Sequence, residues 1–269
     1  MNDNHKFNES DFDTATPDDR TVDEMLHLVR ARLDRRLDRI RRPLVRAGVA
    51  ESALGPLLVA ESVRGLMALQ FIDSHDSPPI LTLLRRKFDV VEDEAAAAKV
   101  GAEVERLMDG DADAIRRRPV DLSLVESDFQ RRALTRLRQV PAGSVVSYQA
   151  LAAAIGAPSG QRAVGNTVAS NPIAIYVPCH RVIRSDGSIG NYGGGVERKL
   201  KLLRAEGFNV DRDRRVPPRA VYGHWTSRIF CRPTCSAVRR VERRKWLIFS
   251  DPEKARSAGL RACKLCQPA

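Results

Sequence analysis

The sequence lacks any apolar run near the ~18 residues that a membrane-spanning helix needs, which argues against a helical membrane protein. It also lacks a positively charged start leading into an apolar stretch. The opening residues, MNDNHKFNESDFDTATPDD, are polar and acidic, so no secretory signal is read there and a cytoplasmic setting is expected. Cysteine is scarce, at five in 269 residues. Four of the five (Cys231, Cys235, Cys263 and Cys266) crowd the C-terminal end as CRPTC and CKLC, leaving Cys179 alone. That distribution argues against a disulfide framework and for a metal site plus one free thiol. No internal repeat is visible.

What the chain has in excess is positive charge. The net charge is +11, although residues 1–24 carry eight acidic side chains against two basic ones. The body is therefore more basic than the total suggests, and residues 212–269 hold fifteen Lys/Arg against four Asp/Glu. A basic body favours a polyanion, because each phosphate it neutralises releases condensed counterions. Nucleic acid is the first partner to consider. An anionic membrane surface comes second, and the plain alternative is an arginine-rich protein with no such partner.

Residues 1–20 read as a disordered acidic tail. From Thr21 the apolar positions Val22, Met25, Leu26, Val29, Leu33, Leu37, Ile40 and Leu44 recur every three or four residues. That spacing predicts an amphipathic helix over 21–43, with Thr21 and Glu24 as a capping box and arginines on the other face. Such a helix commonly docks its apolar stripe; pairing in a dimer or holding DNA are the alternatives. Residues 44–72 read as short strands with turns. Helical spacing covers 78–88 and 93–108, and Arg116–Pro119 reads as an exposed connection. A helix from Asp128 to Gln139 is broken by Pro141 and Gly143. A short helix over Ser147–Gly156, a turn at Ala157–Gly160 and a second helix from Gln161 make a helix-turn-helix, a common DNA-docking unit. Residues 209–220 read as a charged, proline-bearing linker. No second helix-turn-helix pair is found.

A strand-like run, Ile173–Val177, ends at Pro178 and delivers Cys179 and His180 at its tip. A thiol attacks only as thiolate, so it needs a base or a positive field. His180 is adjacent, but neighbours on an extended chain point apart, so coupling calls for a water or a bend between them. By itself a Cys-His pair is equally a buried cysteine beside a core histidine.

Five blocks decide between these readings: FQRRAL, VPAGSVVSYQALAAAIG, RAVGNTVASNP, IYVPCHRVIRSDGSIGNYGGG and KLLRAEG. In this order they resemble the O6-alkylguanine-DNA alkyltransferases, and the likeness spans about Val45 to Gly207. The resemblance implies an α/β fold: a ribonuclease-H-like portion over 44–118, then a helical helix-turn-helix portion over 119–208 that binds DNA and carries the chemistry. It implies stoichiometric transfer of a methyl or alkyl group from O6-alkylguanine, and from O4-alkylthymine, to Cys179, without S-adenosylmethionine. His180 matches the base that activates the thiol through a water, Glu206 the carboxylate that orients it, and Tyr148 the phenol that hydrogen-bonds the departing purine. Asn171 matches the residue that ties the turn before the active-site strand. Arg162, preceded by Gly160 and Gln161, matches the arginine that fills the space left by a flipped nucleotide. Val177, Pro178, Tyr192, Gly193 and Gly194 would line the base pocket. The implied partner is double-stranded DNA carrying alkylated guanine, and no obligatory protein partner is evident. Gly193 stands where some relatives carry serine, and Gly160 and Gln161 where some carry alanines.

The four C-terminal cysteines are spaced C-x3-C, a gap of 27, then C-x2-C. Two close pairs separated this way predict one tetrahedral zinc held by Cys231, Cys235, Cys263 and Cys266 over residues 222–269. The segments YGHWTSRIFCRPTC and SAGLRACKLCQP resemble the methyl-phosphotriester acceptor domain of Ada-type proteins. That likeness makes Cys231 both a ligand and a candidate second methyl acceptor. The module follows the alkyltransferase portion instead of preceding it, and Arg228 and Ala262 replace a usual glycine and proline. Lesion binding without transfer and methylation-sensing regulation are the competing readings.

Overall fold

The computed structural model describes residues 19–40, 42–73, 79–240 and 246–268. The predicted acidic tail lies almost entirely outside them. Two compact units are present, residues 1–43 and residues 44–269. In the first, helix α1 (Asp19–Ile40) starts two residues before the expected capping residue, so Thr21 sits inside the helix and is not its cap. Val22, Met25, Leu26 and Val29 of its apolar stripe are exposed. No helix among the described residues is long and apolar enough to cross a membrane.

The second unit begins with a four-stranded sheet built from β1 (Leu44–Ala50), β2 (Leu57–Ser62), β3 (Gly65–Phe71) and β4 (Asp89–Glu92). Its order is β3-β2-β1-β4, antiparallel except for β4, which runs parallel to β1. Helix α2 (Pro79–Lys87) leads into β4, and α3 (Glu94–Met108) follows it. Asp93 caps α3 by accepting from the Ala96 amide at 2.8 Å. The helix buries Ala97, Val100, Val104 and Leu107, a three-to-four-residue spacing that puts one face on the sheet. The 116–119 connection is exposed except at Arg118, which ion-pairs with Glu61 and with Glu103 at 2.6 Å. Glu103 also accepts from the Tyr176 hydroxyl at 2.6 Å, tying α3 to the turn ahead of Cys179.

The helical part holds α4 (Asp128–Arg138), α5 (Tyr148–Ala154), α6 (Gln161–Ala169) and α7 (Val196–Ala205). Helices α5 and α6 form the expected helix-turn-helix, with Ser147 capping α5 through the Ala150 amide at 3.0 Å. Ahead of α5 lies β5 (Ser144–Ser147), which pairs in parallel with the two-residue β6 (Val182–Ile183). The expected strand at 173–177 is absent. Ile173 makes one bridge to Leu69, and Ile175 has φ 69°, a left-handed conformation that turns the chain and ends any extended run.

The C-terminal strands are β7 (Val221–His224), β8 (Ile229–Cys231), β9 (Trp246–Phe249) and β10 (Arg261–Ala262), with short helices α8 (Ser236–Arg240) and α9 (Pro252–Ser257). They do not stand apart from the helical portion. One six-stranded sheet runs β10-β8-β7-β9-β5-β6, because β9 pairs antiparallel with β5. Val221, Phe230, Leu247, Phe249 and Leu260 share one apolar core with Leu134, Leu137, Val146, Leu202 and Cys179. The expected linker also packs: Val216 donates to the Gly187 carbonyl at 3.0 Å, and Arg215 bridges Ser188. Arg228 adopts φ 55°, the conformation glycine takes at least cost.

Candidate active site and four-cysteine cluster

Cys179 opens a single 3-10 turn, Cys179–Arg181, entered from Pro178. The chain is therefore bent where an extended run was expected, and the opposite-facing geometry of neighbours on a strand does not apply. Asn171 ties this turn. Its Oδ1 accepts from the Ile173 amide at 3.1 Å, and its Nδ2 donates to the Val177 carbonyl at 2.8 Å and to Cys179 Sγ at 3.2 Å. Burial pushes the Cys179 thiol up, while Asn171, Tyr192 and then the Lys199 charge pull it down. The Tyr192 hydroxyl is buried and close enough to influence the thiol, yet makes no well-formed hydrogen bond. The thiol rests protonated and needs a base to ionise.

His180 supplies that group. It is fully buried, and its Nε2 lies 2.9 Å from Glu206 Oε1. A carboxylate only accepts, so Nε2 carries the proton and Nδ1 is left with a free lone pair. That Nδ1 is buried without a partner. Burial holds His180 below its ordinary value, despite Glu206, so the ring is neutral and competent as a base. Glu206 is pulled down to about 2 against the desolvation that would raise it, chiefly by Arg181 and then His180. Arg181 donates Nε to Oε2 at 2.8 Å and Nη2 to Oε1 at 2.5 Å, a two-pronged grip on the carboxylate.

Tyr148 is the first residue of α5 and is half-buried. Burial raises its phenol, and the Cys179 charge raises it further, which puts the two groups within electrostatic reach. Val177 and Pro178 are buried beside the thiol. Gly194 is dictated by contact, since a Cβ there would lie 2.4 Å from the Phe71 ring. At Gly193 a Cβ would meet nothing within 4 Å, so a serine would fit. Gly160, Gln161 and Arg162 stand at the start of α6, where Gln161 and Arg162 are exposed.

Two site residues escaped sequence reasoning. Arg181 stands in the sequence only as one residue of the block IYVPCHRVIRSDGSIGNYGGG. Lys199 is fully buried and donates Nζ to the carbonyls of Val182 at 2.6 Å and Ile189 at 2.5 Å. Burial lowers it to about 8, partly offset by the Cys179 charge. A lysine next to the apolar positions Leu202 and Leu203 on the buried stripe of α7 was the available signal.

Cys231, Cys235, Cys263 and Cys266 place their sulfurs within 4.8 Å of one another, the first three buried. Tetrahedral zinc with sulfur ligands sets sulfurs about 3.8 Å apart. The donor set therefore fits zinc with small adjustments. Backbone amides also serve the sulfurs, as thiolates require: Arg232 donates to Cys266 Sγ at 3.4 Å, and the Cys266 and Leu265 amides lower the Cys263 thiol to about 7.

The second unit thus combines a buried thiol, a helix-turn-helix and a four-sulfur cluster suited to zinc. The family model described as "6-O-methylguanine DNA methyltransferase, DNA binding domain" matches residues 128–208, and "Metal binding domain of Ada" matches residues 208–269. The chain is 35% identical over 160 residues to a Mycobacterium leprae protein named methylated-DNA--protein-cysteine methyltransferase, covering 60% of this chain and 91% of that one. It is 37% identical over 168 residues to the Escherichia coli bifunctional transcriptional activator/DNA repair enzyme Ada, covering 62% of this chain and 47% of that one. Among solved structures, a variant of Mycobacterium tuberculosis OGT aligns with a TM-score of 0.50 at 32% identity, over 63% of this chain and 96% of that one. The chain belongs to the methylated-DNA–protein-cysteine methyltransferase family. It spans about half the length of the Ada proteins it matches.

Proposed function

We propose that this protein repairs alkylated double-stranded DNA directly, moving a methyl or alkyl group from O6 of guanine to Sγ of Cys179 once per molecule. The observation that carries this reading is the buried His180–Glu206 pair next in sequence to the buried thiol of Cys179, with an unpartnered ring nitrogen on one side of His180 and a clamped carboxylate on the other. His180 Nδ1 takes the thiol proton, through a water, and Glu206 stabilises the imidazolium that forms. The Lys199 ammonium and the Asn171 amide favour the thiolate. Sγ then forms a bond to the alkyl carbon as the carbon–O6 bond breaks, and its electron pair stays on the purine. Tyr148 hydrogen-bonds the purine at N3 and offsets that charge. Asn171 holds the Cys179 turn in position.

The target atom is out of reach inside a duplex, so the nucleotide is flipped, with Arg162 filling the gap and Gln161 and Gly160 beside it at the minor groove. Val177, Pro178, Tyr192, Gly193 and Gly194 line the pocket. The product thioether is a poor leaving group, which accounts for single turnover. The strand order β3-β2-β1-β4, with β4 parallel to β1, supports reading residues 44–118 as ribonuclease-H-like. Reduced thiols of this kind suit a cytoplasmic setting.

The test follows the DNA: an O6-methylguanine duplex incubated with excess protein is digested and its nucleosides are separated. Guanine is restored by the native chain and not by Cys179→Ala. Tight binding of the duplex with the lesion left intact would replace this reading with lesion recognition alone.

A second acceptor at Cys231 rests on the likeness to the metal binding domain of Ada. Cys231 is 2% exposed, so an incoming phosphotriester requires the cluster to open. Zinc-loaded protein given methyl-phosphotriester DNA should gain one methyl on Cys231; an unmodified Cys231 leaves the cluster a purely structural site.

A further inference from the structure

We infer that the four-cysteine module is a working part of the alkyl-transfer site, and that metal held there sets the placement of Tyr148 and His180. The inference rests on the alkyl-transfer reading above and concerns how the two cysteine sites are coupled.

The connection is a line of paired strands. Cys231, at the end of β8, lies opposite Tyr222 on β7. Tyr222 lies opposite Ile248 on β9, and Ile248 opposite Val145 on β5. The next residue, Val146, lies opposite Val182 on β6, two residues past His180. One residue beyond Val146, Ser147 caps the helix whose first residue is Tyr148. Strands sit about 4.8 Å apart, so β9 is only about 10 Å from the strand that follows His180.

Without β9, β5 would keep only β6, a pairing of two residues. Two strands alone are marginal at best, and this pair is far shorter than a stable hairpin. Packing repeats the connection. Phe249 is fully buried in the core that also contains Val146 and Cys179. The Lys254 stem crosses Gly143 and Gly207, so closely that a Cβ on Gly207 would lie 2.6 Å from Lys254 Cε. Gly207 directly follows Glu206, and its carbonyl accepts from Ser250 Oγ at 3.2 Å. Trp225 stacks under the Arg136 guanidinium of α4 at 3.9 Å. The module thus reaches both parts of the site: β9 pairs with β5, which pairs with the strand after His180, and Lys254 and Ser250 touch the residue after Glu206.

The metal matters because the far end of this sheet is closed by short strands and one small apolar cluster around Val238 and Trp246, into which the cysteines themselves are built. Strand β10 is two residues long, and the cysteines from β8 and from beyond β10 are brought together at the cluster. A bound ion cross-links them, as in small domains whose fold depends on metal.

The test uses the full chain, zinc-loaded, chelator-stripped, and as Cys266→Ser, Cys266→His and Phe249→Ala. Two quantities are read: single-turnover alkylation of Cys179, and amide hydrogen exchange at Val145, Val146 and Val182 against Leu58 of the other sheet. Stripping the metal or Cys266→Ser should speed exchange in β5 and β6 while leaving Leu58 protected. Alkylation should slow about ten- to a hundred-fold, the cost of displacing a reacting group by about 1 Å. Cys266→His, which keeps a ligand, should restore both quantities. Phe249→Ala should slow transfer with metal content unchanged, which separates positioning from gross unfolding. Loosening confined to residues 222–268, with β5, β6 and the rate unaffected, would overturn the inference. If the loaded chain fails to alkylate Cys179 at all, the repair reading fails, and the exchange data still decide the coupling.

Discussion

The chain uses cysteine in two opposite ways. At Cys179 one buried thiol takes a hydrogen bond from Asn171 and lies within reach of the buried Lys199 ammonium. At the C-terminal end four sulfurs crowd within 4.8 Å, and burial together with the neighbouring cysteines raises the cost of ionising Cys231. A lone thiolate keeps its lone pair for attack, whereas four thiolates need a cation to neutralise them. Reactivity here is set by what surrounds the sulfur. The two sites also differ in their framework. The first lies on a bent turn held by Asn171 and Glu206, the second on strand ends held by the metal itself.

The sharpest way to break this contrast is to move charge at the first site. Glu206→Gln should abolish most transfer and also destabilise the fold by about 3–5 kcal/mol, because Arg181 is left buried without its counter-charge. Thermal unfolding beside a transfer assay would check both effects; an unchanged melting temperature would remove Glu206 from its central place. His180→Ala should slow transfer about 10²–10⁴-fold, the usual contribution of a general base, with metal content unaltered. Tyr148→Phe removes one hydrogen bond to the departing purine, and a loss of about ten-fold in rate is expected, corresponding to about 1–1.5 kcal/mol.

pH separates the sites in another way. Glu206 is held at about 2, below its ordinary 4.5. Its contribution to stability is complete above about 4.5 and is lost as pH falls through that value toward 2, since the unfolded chain then binds the extra proton. Acid titration of the native chain should show this loss, and Glu206→Gln should flatten it. The smallest effect is expected at Gly193→Ser. The added side chain meets nothing within 4 Å, so stability should change by less than about 0.5 kcal/mol, while preference between methyl and larger groups shifts.

Much of this was legible in the sequence because it is local. The C-x3-C and C-x2-C pairs, the Gly-punctuated helix-turn-helix and the PCHR block each declare themselves within a few residues. The structure brings Asn171 to Cys179 and Glu206 to His180. What stayed hidden depends on distant partners. Strands β4, β5 and β9 are four residues each, too short for a period to stand out, and the β9–β5 pairing joins positions about a hundred residues apart. The turn at Ile175 looked like a strand because its residues are β-branched and apolar, while its left-handed φ is imposed by the Asn171 bonds around it. Nothing in the sequence near Arg181 and Lys199 names their roles, which depend on the carboxylate and the carbonyls that hold them.

The account turns on which sulfur reacts. Zinc-loaded full-length protein, incubated with a duplex carrying methyl-labelled O6-methylguanine, would be digested and its cysteine peptides mapped by mass. One labelled methyl on the peptide holding Cys179, with the four C-terminal cysteines unmodified, is the result predicted. Label on Cys231 alone, or no label on any cysteine despite tight DNA binding, would contradict it.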